Sequence, residues 1–211
     1  MTRPVLAGCI FLPLTLLAGA FLLSALRSSR DQGAYPPPGR LIEVGDRTLH
    51  LHCLGQGSPT VVLESGAGGT VLDWSLVAPL IAEKTTVCAY DRAGLGWSAE
   101  SRGPRPVEAL VEEAHDLLTE AGLSPPFVLV GHSFGGLISQ GLAMRLPESS
   151  VAGVVLVDSV HPALYERMPA GFADATSSQL GVLSIAARLA PTGLLRLLVP
   201  PLAPPGLPAE Q

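Results

Sequence analysis

The sequence predicts an α/β domain on a mainly parallel sheet with six recognisable strands, preceded by an N-terminal hydrophobic helix. Three observations carry that expectation. Six short β-branched or apolar runs alternate with stretches of helical periodicity between residues 40 and 165. One of them, 127–130, is wholly apolar, as a strand buried on both faces should be. Finally, the 23 residues 4–26 carry no charge.

Taken in order, the apolar stretch 5–26 is preceded by Arg3 and followed by Arg27 and Arg30. As a helix it would reach about 33 Å, enough for a hydrocarbon core of about 30 Å. Its length favours a single-pass membrane anchor. Small residues at Ala18, Ala20, Ser24 and Ala25 leave open a cleaved secretory signal. Residues 31–39, with Tyr35-Pro36-Pro37-Pro38-Gly39, read as a stiff linker. Strands are expected at 40–44 and 48–54, split by Gly45-Asp46, and at 60–64. A short helix from about Asp73 to Ala82 and a strand at 85–90 come next. Val107, Leu110, Val111, Ala114, Leu117, Leu118 and Ala121 recur at helical spacing, and Gly122 closes that helix. The run 127–130 leads into a helix that stops before Pro147, and 151–157 is the sixth strand. After His161 the alternation ends. Residues 166–211 read as helical and then Pro-rich, with no seventh or eighth strand.

Composition removes several classes. With 47% hydrophobic residues the chain is not a disordered one. Thirteen basic against eighteen acidic side chains exclude a polybasic nucleic-acid binder. Three of those basic residues and none of the acids lie within 1–30, so the remainder carries −8 and has no charge affinity for anionic lipid. Cys9, Cys53 and Cys88 show no metal-ligand spacing. Cys9 lies in the apolar stretch, so only Cys53 and Cys88 could pair, and both read as inert core thiols rather than a disulfide. No metal site or cofactor is expected.

The chemistry concentrates in loops that succeed strands. Gly131-His132-Ser133-Phe134-Gly135 comes after an apolar strand and opens a helix, the setting in which a tight turn projects a nucleophilic serine. The flanking glycines suit so sharp a turn, because a Cβ there would meet the neighbouring strand or helix. Ser65-Gly66-Ala67-Gly68-Gly69 comes after the third strand, and its backbone N–H groups could face a developing oxyanion. The expected donors are the amides of Ala67 and Phe134, each typically worth about 2.7–4 kcal/mol of barrier.

Gly66 to Gly69, Asp91-Arg92-Ala93-Gly94-Leu95-Gly96-Trp97-Ser98, the Ser133 motif and Val155-Leu156-Val157-Asp158 together resemble the α/β-hydrolase superfamily. Their order and spacing are similar to those of its serine-hydrolase branch, which includes esterases, lipases and related acyl hydrolases. The resemblance covers about residues 40–165. It implies an eight-stranded sheet, a cap after the sixth strand that residues 166–211 would begin, and a triad in the chain order Ser, acid, His. It makes Ser133 the nucleophile and the Ala67 and Phe134 amides its oxyanion hole. The implied partner is a small-molecule acyl substrate, with no cofactor and no nucleic acid. A dehalogenase of this superfamily would carry Asp at the elbow, so Ser133 argues against that branch.

The departure is the base. The implied His lies after the last strand, and residues 162–211 contain none. His50 and His52 share one face of a strand and read as surface residues, and His115 sits among Glu112, Glu113 and Asp116 on a solvated helix face. His132 is usually turned away from the nucleophile's hydroxyl. His161, at the carboxyl end of the sixth strand, is a weak base candidate, and Asp158 a weak acid candidate. Asp91 and Arg92 are expected to fix their loop through hydrogen bonds. The chain therefore reads either as the front part of a longer hydrolase acting through Ser133, or as a shortened, inactive, membrane-tethered binding module. A sheet lacking two strands should also leave an open apolar edge.

Overall fold

The computed structural model describes residues 35–101 and 103–161, together with the isolated positions 18, 19, 21, 22, 26, 163 and 167. The chain forms two compact units, residues 37–166 and a second one drawn from 1–36 and 167–211. The first contains all six strands of the sheet and the helices that cover it. The expected anchor at 5–26 lies almost wholly outside the described residues, as do the expected cap and Pro-rich tail. Among the described residues no helix is long and apolar enough to cross a membrane, so the predicted hydrophobic helix finds no support.

Six strands form one mixed sheet: β1 (Arg40–Val44), β2 (Arg47–Leu54), β3 (Thr60–Glu64), β4 (Val87–Tyr90), β5 (Phe127–His132) and β6 (Val151–Val157). Their spatial order is β1-β2-β4-β3-β5-β6. β1, β2 and β4 pair antiparallel, whereas β4, β3, β5 and β6 run parallel. The helices are α1 (Ala78–Ala82), α2 (Val107–Glu120) and α3 (Gly135–Arg145). From β3 the chain winds to β4 on one side and then crosses to β5 on the other. The carboxyl ends of β3 and β5 thus adjoin where the winding reverses, the place at which open α/β sheets bind ligands.

Burial matches this layering. β3 and β4 are buried along their whole length, as strands covered on both faces must be. On one face Leu49, Leu51, Val62 and Cys88 pack with Leu110, Ala114 and Leu117 of α2 and Ile138 and Leu142 of α3. On the other, Val61, Leu63, Val87 and Ala89 pack with Val71 and Trp74. α2 and α3 each bury apolar side chains against the sheet.

Three local expectations need correction. The helix expected from Asp73 to Ala82 is a 3₁₀ turn, Val71–Trp74, and then the separate α1. Pro79 sits in the first turn of α1, where its missing N–H is harmless. Inside one continuous helix it would have lost a hydrogen bond and struck the carbonyl of Ser75. β4 begins at Val87 rather than at 85: the Thr85 N–H still turns back to the Ile81 carbonyl of α1 at 3.2 Å, and the Thr85 and Thr86 hydroxyls donate to the carbonyls of Pro59 and Gly57, at 2.6 and 2.9 Å. Cys53 and Cys88 are not free thiols but a disulfide. They stand directly opposite in the antiparallel β2–β4 register, which brings two Cβ atoms on one face within reach of each other.

Candidate active site

β5 ends in a sharp turn. Ser133 takes φ 51°, a left-handed conformation that costs a residue with a Cβ and persists only where its surroundings impose it. Three hydrogen bonds impose it. Ser133 N–H donates to the Val157 carbonyl at 3.0 Å, and the Ser133 carbonyl accepts from Gly136 N–H at 3.0 Å and Val160 N–H at 3.1 Å. The glycines admit the turn. A Cβ on Gly131 would lie 2.5 Å from Gly136 Cα, and one on Gly135 would collide with the carbonyls of Glu64 and Ser65. The Ser133 side chain is half-buried at the head of α3. No hydrogen bond to its Oγ exists among the described residues.

The loop after β3 lies against this turn. A methyl at Gly66 would sit 3.4 Å from Ser133 Cβ and 3.2 Å from His132 Nδ1. Gly69 N–H closes the loop on the Gly66 carbonyl at 3.1 Å. The buried Ser65 hydroxyl donates to the Thr70 carbonyl and accepts from Trp74 Nε1, both at 2.9 Å. The N–H groups of Ala67 and Phe134 donate to no group among the described residues. Phe134 is the N-cap of α3, where a free N–H and the positive end of the helix dipole coincide.

Beneath the loop lies a polar cluster of which sequence reasoning named Arg92 but missed Glu64 and Tyr90. Arg92 is buried, and its guanidinium donates to the Glu64 carboxylate, to the Ser65 carbonyl at 2.7 Å and to the Gly66 carbonyl. The Tyr90 hydroxyl donates to the other Glu64 oxygen. Burial raises Glu64 from its ordinary 4.5 to about 7, even though Arg92 and the Tyr90 hydrogen bond oppose that rise. Burial, with Glu64 beside it, raises Tyr90 well above its ordinary value. The available signal is a glutamate directly after the apolar run Val61–Leu63 of β3, since a buried carboxylate demands a partner.

The neighbouring node is Asp91. One carboxylate oxygen accepts Val71 N–H at 2.8 Å, and the other accepts Trp97 N–H at 3.1 Å and meets His50 Nδ1 at 2.8 Å. His50 is fully buried, edge-on to Trp97, and its Nε2 donates to the Pro38 carbonyl at 2.6 Å. The expectation of a surface histidine at 50 therefore fails: the linker and the 91–98 loop cover that face of β2. His52 is partly covered and held below its ordinary value, first by burial and then by His50. Asp91 fixes its own loop as expected, through Trp97 N–H, whereas the Arg92 side chain holds the loop after β3 rather than its own.

The remaining candidates lie beyond β6. Asp158 takes φ 44°, is exposed and forms no ion pair among the described residues. His161 is exposed, and its Nδ1 accepts from Ala163 N–H at 3.0 Å. The structure thus gathers Gly66, Ser133, Phe134 and the backbone of residues 157–160 into one place. None of the five histidines hydrogen-bonds Ser133. Among the described residues, Glu112, His115 and Asp116 alone form a group able to hold a metal ion, with ligand atoms within 4.8 Å of one another on the surface of α2. It lies apart from the nucleophile turn.

Comparison with known proteins agrees with this geometry. The family model described as alpha/beta hydrolase fold matches residues 59–182. An AB hydrolase superfamily protein of Gibberella zeae is 36% identical over 104 residues, covering 48% of this chain and 32% of its own. A fluoroacetate dehalogenase of a Burkholderia species is 32% identical over 122 residues, covering 56% and 40%. Est816, an N-acyl homoserine lactone degrading enzyme of solved structure, superposes with a TM-score of 0.58 at 21% identity, covering 65% of this chain and 52% of that one. At that identity the likeness is one of fold. The chain spans about a third of the length of the first of these relatives and two fifths of the second.

Proposed function

The chain belongs to the alpha/beta-hydrolase family, and from that premise we propose that Ser133 is the nucleophile of a serine hydrolase acting on ester or related acyl bonds. The observation that carries this reading is the turn itself. Ser133 is held at φ 51° between glycines that admit no Cβ, facing a loop whose Ala67 amide, like that of Phe134, is free to donate. Attack by Oγ on an acyl carbon moves charge onto the carbonyl oxygen, which these two N–H groups would stabilise without reorganisation if they converge on it. The hydroxyl still needs a base. His161 and Asp158 are the chain's own candidates for base and acid, because the segment that carries them bonds to the Ser133 carbonyl through Val160.

A fluorophosphonate probe tests the nucleophile. We expect the full chain to be labelled at Ser133 and Ser133→Ala not at all; an unlabelled wild type sinks the hydrolase reading and leaves a binding module. A general base contributes about 10²–10⁴-fold. His161→Ala should therefore slow labelling at least about a hundredfold, and an unchanged rate would remove His161 from the mechanism. A disulfide persists in oxidising compartments, so the Cys53–Cys88 bond supports a domain outside the cytoplasm, with 5–26 as its anchor or secretory signal. Alkylation of both thiols in freshly lysed cells, without reductant, would contradict that placement.

A further inference from the structure

The Arg92 cluster bears on the same site, and its role there rests on the hydrolase reading. A peptide unit is planar and trans, so its C=O and N–H point in opposite directions. The Gly66 carbonyl is claimed from beneath by the Arg92 guanidinium and from within the loop by Gly69 N–H. The N–H on the far side of that peptide plane belongs to Ala67. Fixing the carbonyl inward therefore fixes the Ala67 N–H outward, away from Arg92 and on the exposed side of the loop. The preceding carbonyl, that of Ser65, is held by the same guanidinium at 2.7 Å, so neither peptide is free to rotate.

Arg92 also reaches the other half of the hole. Its guanidinium carbon lies 6.0 Å from the centre of the Phe134 ring, and Phe134 supplies the second donor. Gly135, the next residue, packs its bare Cα on the carbonyls of Glu64 and Ser65. Glu64, itself held by the Tyr90 hydroxyl, in turn locks the guanidinium from below. We infer that Arg92, held by a Glu64 carboxylate that Tyr90 steadies, is the positioning residue of the oxyanion hole, orienting the Ala67 amide against Ser133. The task requires a planar fork with several donors in fixed directions. A lysine is one point charge and cannot hold two carbonyls and a carboxylate in that geometry.

The test uses the full chain, ¹⁵N-labelled, as wild type, Arg92→Lys and Glu64→Gln. In the wild type the Ala67 amide should show an order parameter of about 0.85, that of rigid backbone. In Arg92→Lys it should fall below about 0.6 while the amides of β3 and Phe134 stay rigid, and fluorophosphonate labelling of Ser133 should slow at least tenfold. A folded Arg92→Lys with a rigid Ala67 amide and an unchanged labelling rate overturns the inference. Should Arg92→Lys not fold, Glu64→Gln decides. It keeps the guanidinium but replaces the carboxyl that holds it with an amide, so, measured above the value of about 7 at which Glu64 titrates, Ala67 alone should loosen and labelling slow about threefold or more; unchanged values there also overturn it. A wild type that resists the probe refutes the hydrolase reading, and the amide measurement still decides the role of Arg92.

Discussion

Glu64 makes a residue-scale prediction about stability. Burial raises its carboxyl from 4.5 to about 7 against the pull of Arg92 and Tyr90, so the folded state binds the proton more readily than the unfolded chain. The favourable contribution is complete below about pH 4.5, is lost as pH rises through about 7, and changes no further above that. A rise of this size corresponds to about 3 kcal/mol. Glu64→Gln has no such proton, so wild type should lose about 3 kcal/mol relative to that variant between about pH 4.5 and 7.5. Urea midpoints of both proteins across this range measure it, and parallel curves would show that Glu64 titrates at its ordinary value. The cluster illustrates what the sequence conceals at this scale. Ser133 is legible because glycines spaced about a serine, directly after an apolar strand, fit a tight strand-to-helix turn and little else. Glu64, Tyr90 and Arg92 are not, because they come from two strands and a loop whose adjacency depends on the sheet order.

Elements are more legible than the contacts between them. β1, β3 and β6 lie at the expected bounds, and β2 starts one residue early, since β-branched alternation and Gly punctuation are local signals. The segment between β3 and β4 departs from expectation because apolar periodicity runs on through residues 73–82, although the N–H groups of Asp73, Ser75 and Val77 reach back only three residues and the α-helical bonding starts with α1. β6 carries the element-scale prediction. Among the described residues it ends the sheet and pairs only with β5. Val154, Val155, Leu156 and Val157 are 39–48% exposed, and the strand bears no charge to discourage pairing. An uncharged apolar edge is a template for another strand. The full chain should therefore self-associate in sedimentation velocity, and Val155→Lys should shift it toward monomer while changing stability by no more than about 0.5 kcal/mol, as exposed substitutions do. Identical sedimentation of the two proteins would show that this edge is not the contact.

At the scale of the whole domain, β4 joins two kinds of sheet. On one side lies the antiparallel pair β1–β2, on the other the parallel strands β3, β5 and β6 that carry the nucleophile turn and its loop. Beside the β2–β4 ladder, the connections that cross from the antiparallel side include the Cys53–Cys88 bond at one end of β2, and His50 against Asp91 further along it. Neither can be read from spacing alone, because both require β2 to neighbour β4 rather than β3, and the sequence separation of 35 between the cysteines suits many topologies. Closing a loop of that length restricts the unfolded chain by about 3–4 kcal/mol in the entropic account. The Cys53→Ser, Cys88→Ser double variant should be less stable by about that amount, and the loss should fall unevenly. The His50–Asp91 contact survives, so β1 and β2 should open locally before the parallel strands do, raising amide exchange in residues 40–54 while 127–132 remain protected. Exchange that rises equally in both stretches would mean that the domain opens as one unit, and that the disulfide does not fasten the antiparallel edge to the strands bearing Ser133.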